Sequence, residues 1–346
     1  MKFELQKRGC FILVYLSMLG FGITSFNSCN FTNSSPIQLN VIDIPAGFPE
    51  IEFPEGNEYS KARWELGKKL FNDPVLSRDS SISCASCHHS EIAFGDATPT
   101  TSGVYNRAGQ RNVPTLANVA YSPYFMVEGS VSSLELQVLV PIQEHNEFDH
   151  TILDIGRKLR SDSAYVNMAL MAYGREIDPF VITRAIANFE RSMISGTSAY
   201  DSFRNGDLSA ISEKAKRGMD LFYSEKVNCK ACHSGVLFTN YSFENNGLSS
   251  LYADSGRIRL TMKETDRDKF KVPTLRNIAV TGPYMHDGSF STLIEIIEHY
   301  NSGGKNHLNK SDFMISLNLT NSEKEELVAF LESLTDYSFI NDPKWN

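Results

Sequence analysis

The feature that most constrains this 346-residue chain is a pair of short motifs, Cys84-Ala85-Ser86-Cys87-His88 and Cys229-Lys230-Ala231-Cys232-His233. They hold four of its six cysteines, so the even count does not read as three disulfides. Two thiols three positions apart on one helical turn can reach the two vinyl groups of a haem, and the imidazole that follows then faces the iron. This is the c-type haem attachment signature. A four-thiolate zinc site or a redox dithiol would also use Cys-x-x-Cys pairs, but either leaves both histidines unexplained. The pattern predicts two covalently bound c-type haems.

The motifs lie in a repeated frame. Residues 113–137 and 272–296 align without gaps at an offset of 159, with eleven of 25 positions identical. Chance would give about one or two matches at average residue usage. Upstream of each Cys motif comes a similar helix ending, Gly67-Lys68-Lys69-Leu70-Phe71 and Gly218-Met219-Asp220-Leu221-Phe222. The expected fold is therefore mainly α, with two tandem cytochrome c-like haem domains related by internal duplication. Apolar spacing and caps predict helices over Tyr59–Asn72, Pro179–Met193 behind Asp178, Ser212–Tyr223, Ser291–Tyr300 and Asn321–Leu334. Residues 237–272 read as irregular, with at most a short hairpin. The polar stretch Gly196–Leu208 reads as a linker, giving domains 56–207 and 208–346.

Residues 1–28 read as a secretory signal, with Lys2, Lys7 and Arg8 ahead of an apolar run from Phe11 to Ile23. That run is shorter than the roughly 20 residues of a membrane span. Cys10 would leave with it. Ser28-Cys29 resembles a bacterial lipoprotein processing site, although Phe26 and Asn27 match it poorly. Two readings stay open: a lipid anchor at Cys29, or ordinary cleavage near Ser28. Residues 29–55 read as a tether. The expected location is the periplasm, with membrane tethering as a lipoprotein if Cys29 is acylated. The net charge is −8, and residues 1–28 contribute +2, so the remainder is near −10. That argues against a nucleic-acid partner and leaves a basic protein or a small neutral substrate.

The repeat lets the two haem sites be compared. At the same offset Pro141 pairs with Tyr300, and Gln137 with Ile296. Proline cannot ligate iron and tyrosine can, so the first haem is expected to be open and the second capped. An open iron can bind peroxide, whereas a six-coordinate one transfers electrons. Glu147 follows Pro141 closely as a candidate proton carrier.

The chain resembles the bacterial di-haem cytochrome c peroxidase family, including its MauG-like branch, over residues 58–335. The resemblance is carried by Leu66–Phe71, Leu76–Asp79, Ser83–His88, Arg111–Leu116, Val272–Asn277 and Pro283–Gly288. It implies that His88 is the proximal ligand of a peroxidatic haem and His233 that of an electron-transfer haem. Glu147 falls at the family's catalytic glutamate and Gln137 at its distal-pocket glutamine. Glu147 would move a proton from the inner to the outer peroxide oxygen while two electrons complete reduction to water. Asn112, Thr281 and Pro283 match positions that hold one calcium ion, largely through carbonyl oxygens. The implied partners are hydrogen peroxide and a small cytochrome c or cupredoxin donor, and family members commonly form homodimers.

Three positions depart from the conventional pattern. Val104, sixteen residues after His88, replaces a histidine that caps the peroxidatic haem in many members. Tyr300 replaces a methionine and resembles the MauG-like branch, with Met285 the competing axial ligand. Val127 replaces a tryptophan between the haems, and its repeat counterpart is His286. Three functions follow: a peroxide reductase fed by a small redox protein, a MauG-like enzyme that oxidises side chains of a partner protein, or a non-enzymatic electron-transfer cytochrome.

Overall fold

The structure is a computed structural model and describes residues 42–345. The expected signal segment 1–28 with Cys10, the possible lipid site Cys29 and the start of the expected tether lie outside the described residues. The fold is mainly helical, and its one sheet among the described residues is a two-residue antiparallel ladder, Phe243–Glu244 with Phe270–Lys271. The stretch expected to be irregular with at most a short hairpin holds this ladder, but its strands are joined by residues 245–269, which include the helical turn Ile258–Thr261.

Each half rests on one close helix crossing. In the first, Ser60 caps the helix Lys61–Asn72 by accepting the Arg63 N–H at 3.3 Å, and the helix buries Leu66, Gly67, Leu70 and Phe71. It packs on Pro179–Arg191, which opens with Asp178 as cap and proline at its first turn. A Cβ at Gly67 would lie 2.0 Å from the Ala185 carbonyl oxygen, so only glycine allows this approach. In the second half Glu213–Tyr223 packs on Asn321–Glu332, and a Cβ at Gly218 would lie 1.8 Å from the Glu326 carbonyl oxygen. The five helices read from the sequence are all present, and no end is shifted by more than two residues.

Two large apolar clusters result, beside a small one of Phe125, Leu134 and Ala187, and the large ones do not divide at one point along the chain. The first gathers Leu66, Leu70, Phe71, Ile186 and Phe189, together with Phe339, Ile340 and Trp345 from the chain's far end. Trp345 is 3 % exposed and stands edge-on to Phe94 at 5.4 Å between ring centroids. The second gathers Phe222, Phe238, Phe330 and Leu334, together with Tyr200.

The stretch expected as a polar linker is not a loose connection. Ser195 and Ser198 are buried, and Ala199–Arg204 is a helix whose Tyr200 enters the second cluster. Its first residues are satisfied inside the molecule, which composition could not reveal, while Arg204–Leu208 are exposed as a polar linker would be. Asn118 exchanges two hydrogen bonds with the Ser195 backbone, at 2.8 and 3.0 Å. Asn277 donates to Ser195 Oγ at 2.9 Å and accepts the Asp336 N–H at 2.8 Å. Asp336 in turn accepts the Gly196 and Thr197 N–H groups, both at 2.9 Å. Burial alone would raise the Asp336 carboxyl, but donors from Ser338, Thr197 and Phe339 hold it below the usual range.

The described end of the expected tether also lies on the folded body. Phe48 sits 5.9 Å from the Tyr121 ring and beneath the Arg276 guanidinium at 4.6 Å. Asn57 is fully buried and donates to Glu135 at 2.8 Å.

Candidate functional site

Both Cys motifs form a single 3-10 turn, Cys84–Ser86 and Cys229–Ala231, and the turn extends into the histidine. The His88 N–H reaches the Cys84 carbonyl at 2.9 Å, and the His233 N–H reaches the Cys229 carbonyl at 2.9 Å. Each imidazole is then fixed by a backbone carbonyl. His88 Nδ1 lies 2.8 Å from Phe94 O, and His233 Nδ1 lies 2.9 Å from Phe238 O. A carbonyl oxygen only accepts, so Nδ1 carries the proton and Nε2 keeps its lone pair free to bind metal. Burial pushes His88 down to about 4 and lowers His233, so both rings are neutral, the form that ligates.

The Val-Pro-Thr-Leu turns support these carbonyls. Thr115 Oγ1 donates to Ala93 O at 2.5 Å, and Thr274 Oγ1 donates to Leu237 O at 2.6 Å. Each accepting residue directly precedes the phenylalanine that holds a histidine. The repeated threonine thus anchors the segment that orients the ring.

The thiols distinguish the possible cofactors. Burial raises all four, Cys87 and Cys232 to about 11 and Cys229 to about 12, while the Glu190 charge adds to the rise at Cys84. A redox dithiol instead needs a lowered thiol. The four cysteines form no disulfide. Among the described residues no three Cys, His, Asp or Glu side chains converge as a metal-ion set, so the two pairs do not build one zinc site. Free thiols beside a neutral imidazole with an available Nε2 fit a covalently attached haem, twice. Glu190 was not singled out from the sequence. It is 4 % exposed, its Oε2 has no hydrogen-bond partner among the described residues, and burial pushes its carboxyl up to about 8.

The structure places Gln137 and Pro141 close to each other, and Glu147 close to Pro141 and to the first motif. Leu134–Gln137 and Leu139–Gln143 join through helical Val138 (φ −52°, ψ −32°), so Gln137 and Pro141 stand one turn apart on the same face. The Phe148 N–H donates to Pro141 O at 3.2 Å, which sets Glu147 next to this face. The Glu147 charge is felt at both Cys84 and Cys87. Its side chain is exposed, although protein packed around the carboxyl removes part of its water. Desolvation, with the Glu144 charge adding to it, lifts the carboxyl to about 6. Val104 is fully buried, and its N–H donates to Glu147 O at 2.9 Å.

The second site differs. Tyr300 lies on the helix Leu293–Ser302, which Thr292 and Glu295 close with reciprocal caps. Burial pushes its phenol up to about 12 against a hydrogen bond from Asn246, and the charges of Cys232 and Cys229 act on it. Met285 is close by: its sulfur accepts from Asn246 Nδ2 at 3.2 Å. Asn246 thus touches both candidate axial ligands. It was missed in the sequence because it sits in a stretch without a counterpart of equal length in the first half.

Val127 and His286 face different surroundings. Val127 O accepts the Lys271 N–H at 2.7 Å, whereas His286 stacks on Phe270 at 4.1 Å and 19°. Of the residues expected at a calcium ion, Asn112 donates its N–H to His286 O at 2.9 Å. This fastens it to the loop that carries Thr281 and Pro283.

Comparison with known proteins agrees with this geometry. Residues 61–209 match the model of the di-haem cytochrome c peroxidase family. The methylamine utilization protein MauG of Methylorubrum extorquens is 33 % identical over 321 residues, covering 91 % of this chain and 90 % of its own. The cytochrome c551 peroxidase of Nitrosomonas europaea is 33 % identical over 276 residues, covering 78 % and 79 %. A crystal structure of a MauG-like protein associated with microbial copper homeostasis superposes with a TM-score of 0.83 at 31 % identity, covering 88 % of this chain and 98 % of that one. The chain belongs to the di-haem cytochrome c peroxidase family and is an oxidoreductase of that family, which implies two c-type haems. Among the described residues no helix is long and apolar enough to cross a membrane.

Proposed function

We propose that this chain reduces hydrogen peroxide to water at a haem held by Cys84, Cys87 and His88, with electrons passed through a second haem held by Cys229, Cys232 and His233. The donor is a small cytochrome c or cupredoxin in the periplasm. The observation that carries this reading is the grouping of Gln137, Pro141 and Glu147 beside the first motif, with the Glu147 carboxyl near 6. When bound, the haems supply an iron where peroxide can sit and a second iron that relays electrons.

The protein's own part is acid–base and steric. Ionised Glu147 accepts a proton from the inner peroxide oxygen and returns it to the outer one, so that water leaves. Gln137 offers an amide on the same face to orient the peroxide. Pro141 offers no ligand and keeps the position open, and buried Val104 replaces a capping imidazole. Tyr300 would hold the second iron when the haem is bound, with Met285 as its rival. An anionic oxygen ligand favours ferric iron and lowers the potential. Asn112, Thr281 and Pro283 suit one calcium ion at the contact between the halves. The paired helix crossings, threonine anchors and histidine carbonyls support descent from one duplicated unit.

Steady-state turnover with reduced cytochrome c and peroxide tests this reading. Glu147→Gln should remove most of the activity. Turnover no faster than free haem would reject the proposal.

A second reading is oxidation of a partner protein's side chains. It is supported by Val104, by Tyr300 and by relatives that carry the MauG name. The absence of a tryptophan at Val127 weighs against it. It requires a partner whose mass changes on peroxide treatment.

A further inference from the structure

Asn246 is held on every side. Its neighbour Asn245 donates to Asp268 O at 2.8 Å and accepts the Gly247 N–H at 2.8 Å. Gly247 O accepts the Lys305 N–H at 2.7 Å, and Asn245 O accepts the Ser311 N–H at 2.9 Å. The turn is thereby fastened to two other loops before Asn246 makes any contact of its own. The Asn246 carbonyl lies 2.9 Å from His299 Nε2, one residue before Tyr300. Its Oδ1 accepts the Leu248 N–H at 3.2 Å, which fixes the amide orientation. Asn246 Nδ2 donates to Met285 Sδ at 3.2 Å, and the same side chain lowers the Tyr300 phenol as a hydrogen-bond donor would, against the effect of burial.

One amide therefore reaches both side chains that compete for the second iron, with opposite consequences. A hydrogen bond to the thioether occupies a sulfur lone pair that a bond to iron would need. A hydrogen bond to the phenol oxygen uses one of its lone pairs, leaves another for a metal and fixes the ring's direction. This arrangement resembles the outer partners that orient ligands at other metal sites.

We propose that Asn246 is the positioning residue that selects Tyr300 over Met285 as the axial ligand of the second haem. The inference rests on the reading that the His233 haem takes its sixth ligand from this helix and loop.

The test uses the haem-loaded full chain and reads the ferric spectrum and electron paramagnetic resonance signal of the second iron. Tyr300→Phe comes first. If it leaves the second iron's signal unchanged, the underlying reading of Tyr300 as ligand fails. If it changes the signal, Asn246→Leu and Asn246→Asp decide the inference. Leucine removes both polar functions, and aspartate keeps the acceptor for Leu248 while losing the amide hydrogens. Each should replace the tyrosine signal with that of methionine ligation, and adding Met285→Leu should abolish the new signal. If Asn246→Leu does not fold, Asn246→Asp alone decides. A second iron still bound by tyrosine in the aspartate variant would overturn the proposal. So would one that becomes high-spin with no methionine signal, because Met285 would then have no access to the iron.

Discussion

On the histidine side the two halves are built alike. Thr115 and Thr274 each anchor a segment whose next carbonyl, Phe94 O or Phe238 O, holds a neutral imidazole at 2.8 or 2.9 Å. Away from the histidines they diverge. The first half presents Gln137, Pro141 and a carboxyl near 6. The second presents Tyr300, Met285 and an amide that touches both. The likeness shows what any attached haem needs, which is two thiols and one oriented ring. On the proposed reading, the difference is where the two irons would acquire separate tasks. A group that moves protons belongs where a substrate binds, and a group that ligates belongs where only electrons pass.

The comparison can be broken most sharply at Glu147. Glu147→Gln should slow the reaction with peroxide by about 10²- to 10⁴-fold, the usual worth of a positioned general base, and leave the second iron's spectrum unchanged. Equal changes at both irons would contradict the division of tasks. Making the first side resemble the second is the next test. Pro141→Tyr should cap the first iron and reduce peroxide binding by about 10- to 100-fold if one to ten per cent of molecules stay open. Loss of the high-spin resonance signal would report the cap.

The pH dependence sharpens the same point. Glu147 must be ionised to accept the first proton, and its carboxyl is raised to about 6. The peroxide rate should therefore be full above that pH and fall about tenfold per unit below it. The Gln variant should show no such limb in stopped-flow traces. The smallest effect tests the shared scaffold. Gly67→Ala and Gly218→Ala each push a methyl into a backbone carbonyl, at 2.0 and 1.8 Å before relaxation. Each should cost about 1–3 kcal/mol in denaturant melts. A neutral result at either glycine would show that its crossing is looser than described.

What the sequence made legible was local. The Cys-x-x-Cys-His turns, the capped helices and the Val-Pro-Thr-Leu repeats are contiguous, so their chemistry can be read within a few residues. Asp178 and Pro179 mark a helix start for reasons that hold in any chain. What it hid was long-range. Nothing near Trp345 indicates that it packs against Phe94, some 250 residues earlier. Gly196, Thr197 and Ser198 looked like linker residues because the stretch is small and polar, yet Asp336 holds the first two backbone N–H groups and Ser198 is buried. Gln137, Pro141 and Tyr300 stood out because the repeat supplied a register between the halves, and Glu147 because it follows Pro141 closely and matches the family's glutamate. Asn246 lies where the two halves differ in length, so that register could not reach it.

The central claim is that one iron is open and the other closed by a side chain of this protein. Electron paramagnetic resonance of the resting ferric protein, with both haems attached, tests it most directly. The expected spectrum contains one high-spin signal, lost when cyanide is added, and one low-spin signal that Tyr300→Phe alters while the first stays in place. Two low-spin signals in the untreated protein would contradict the claim and return the chain to simple electron transfer.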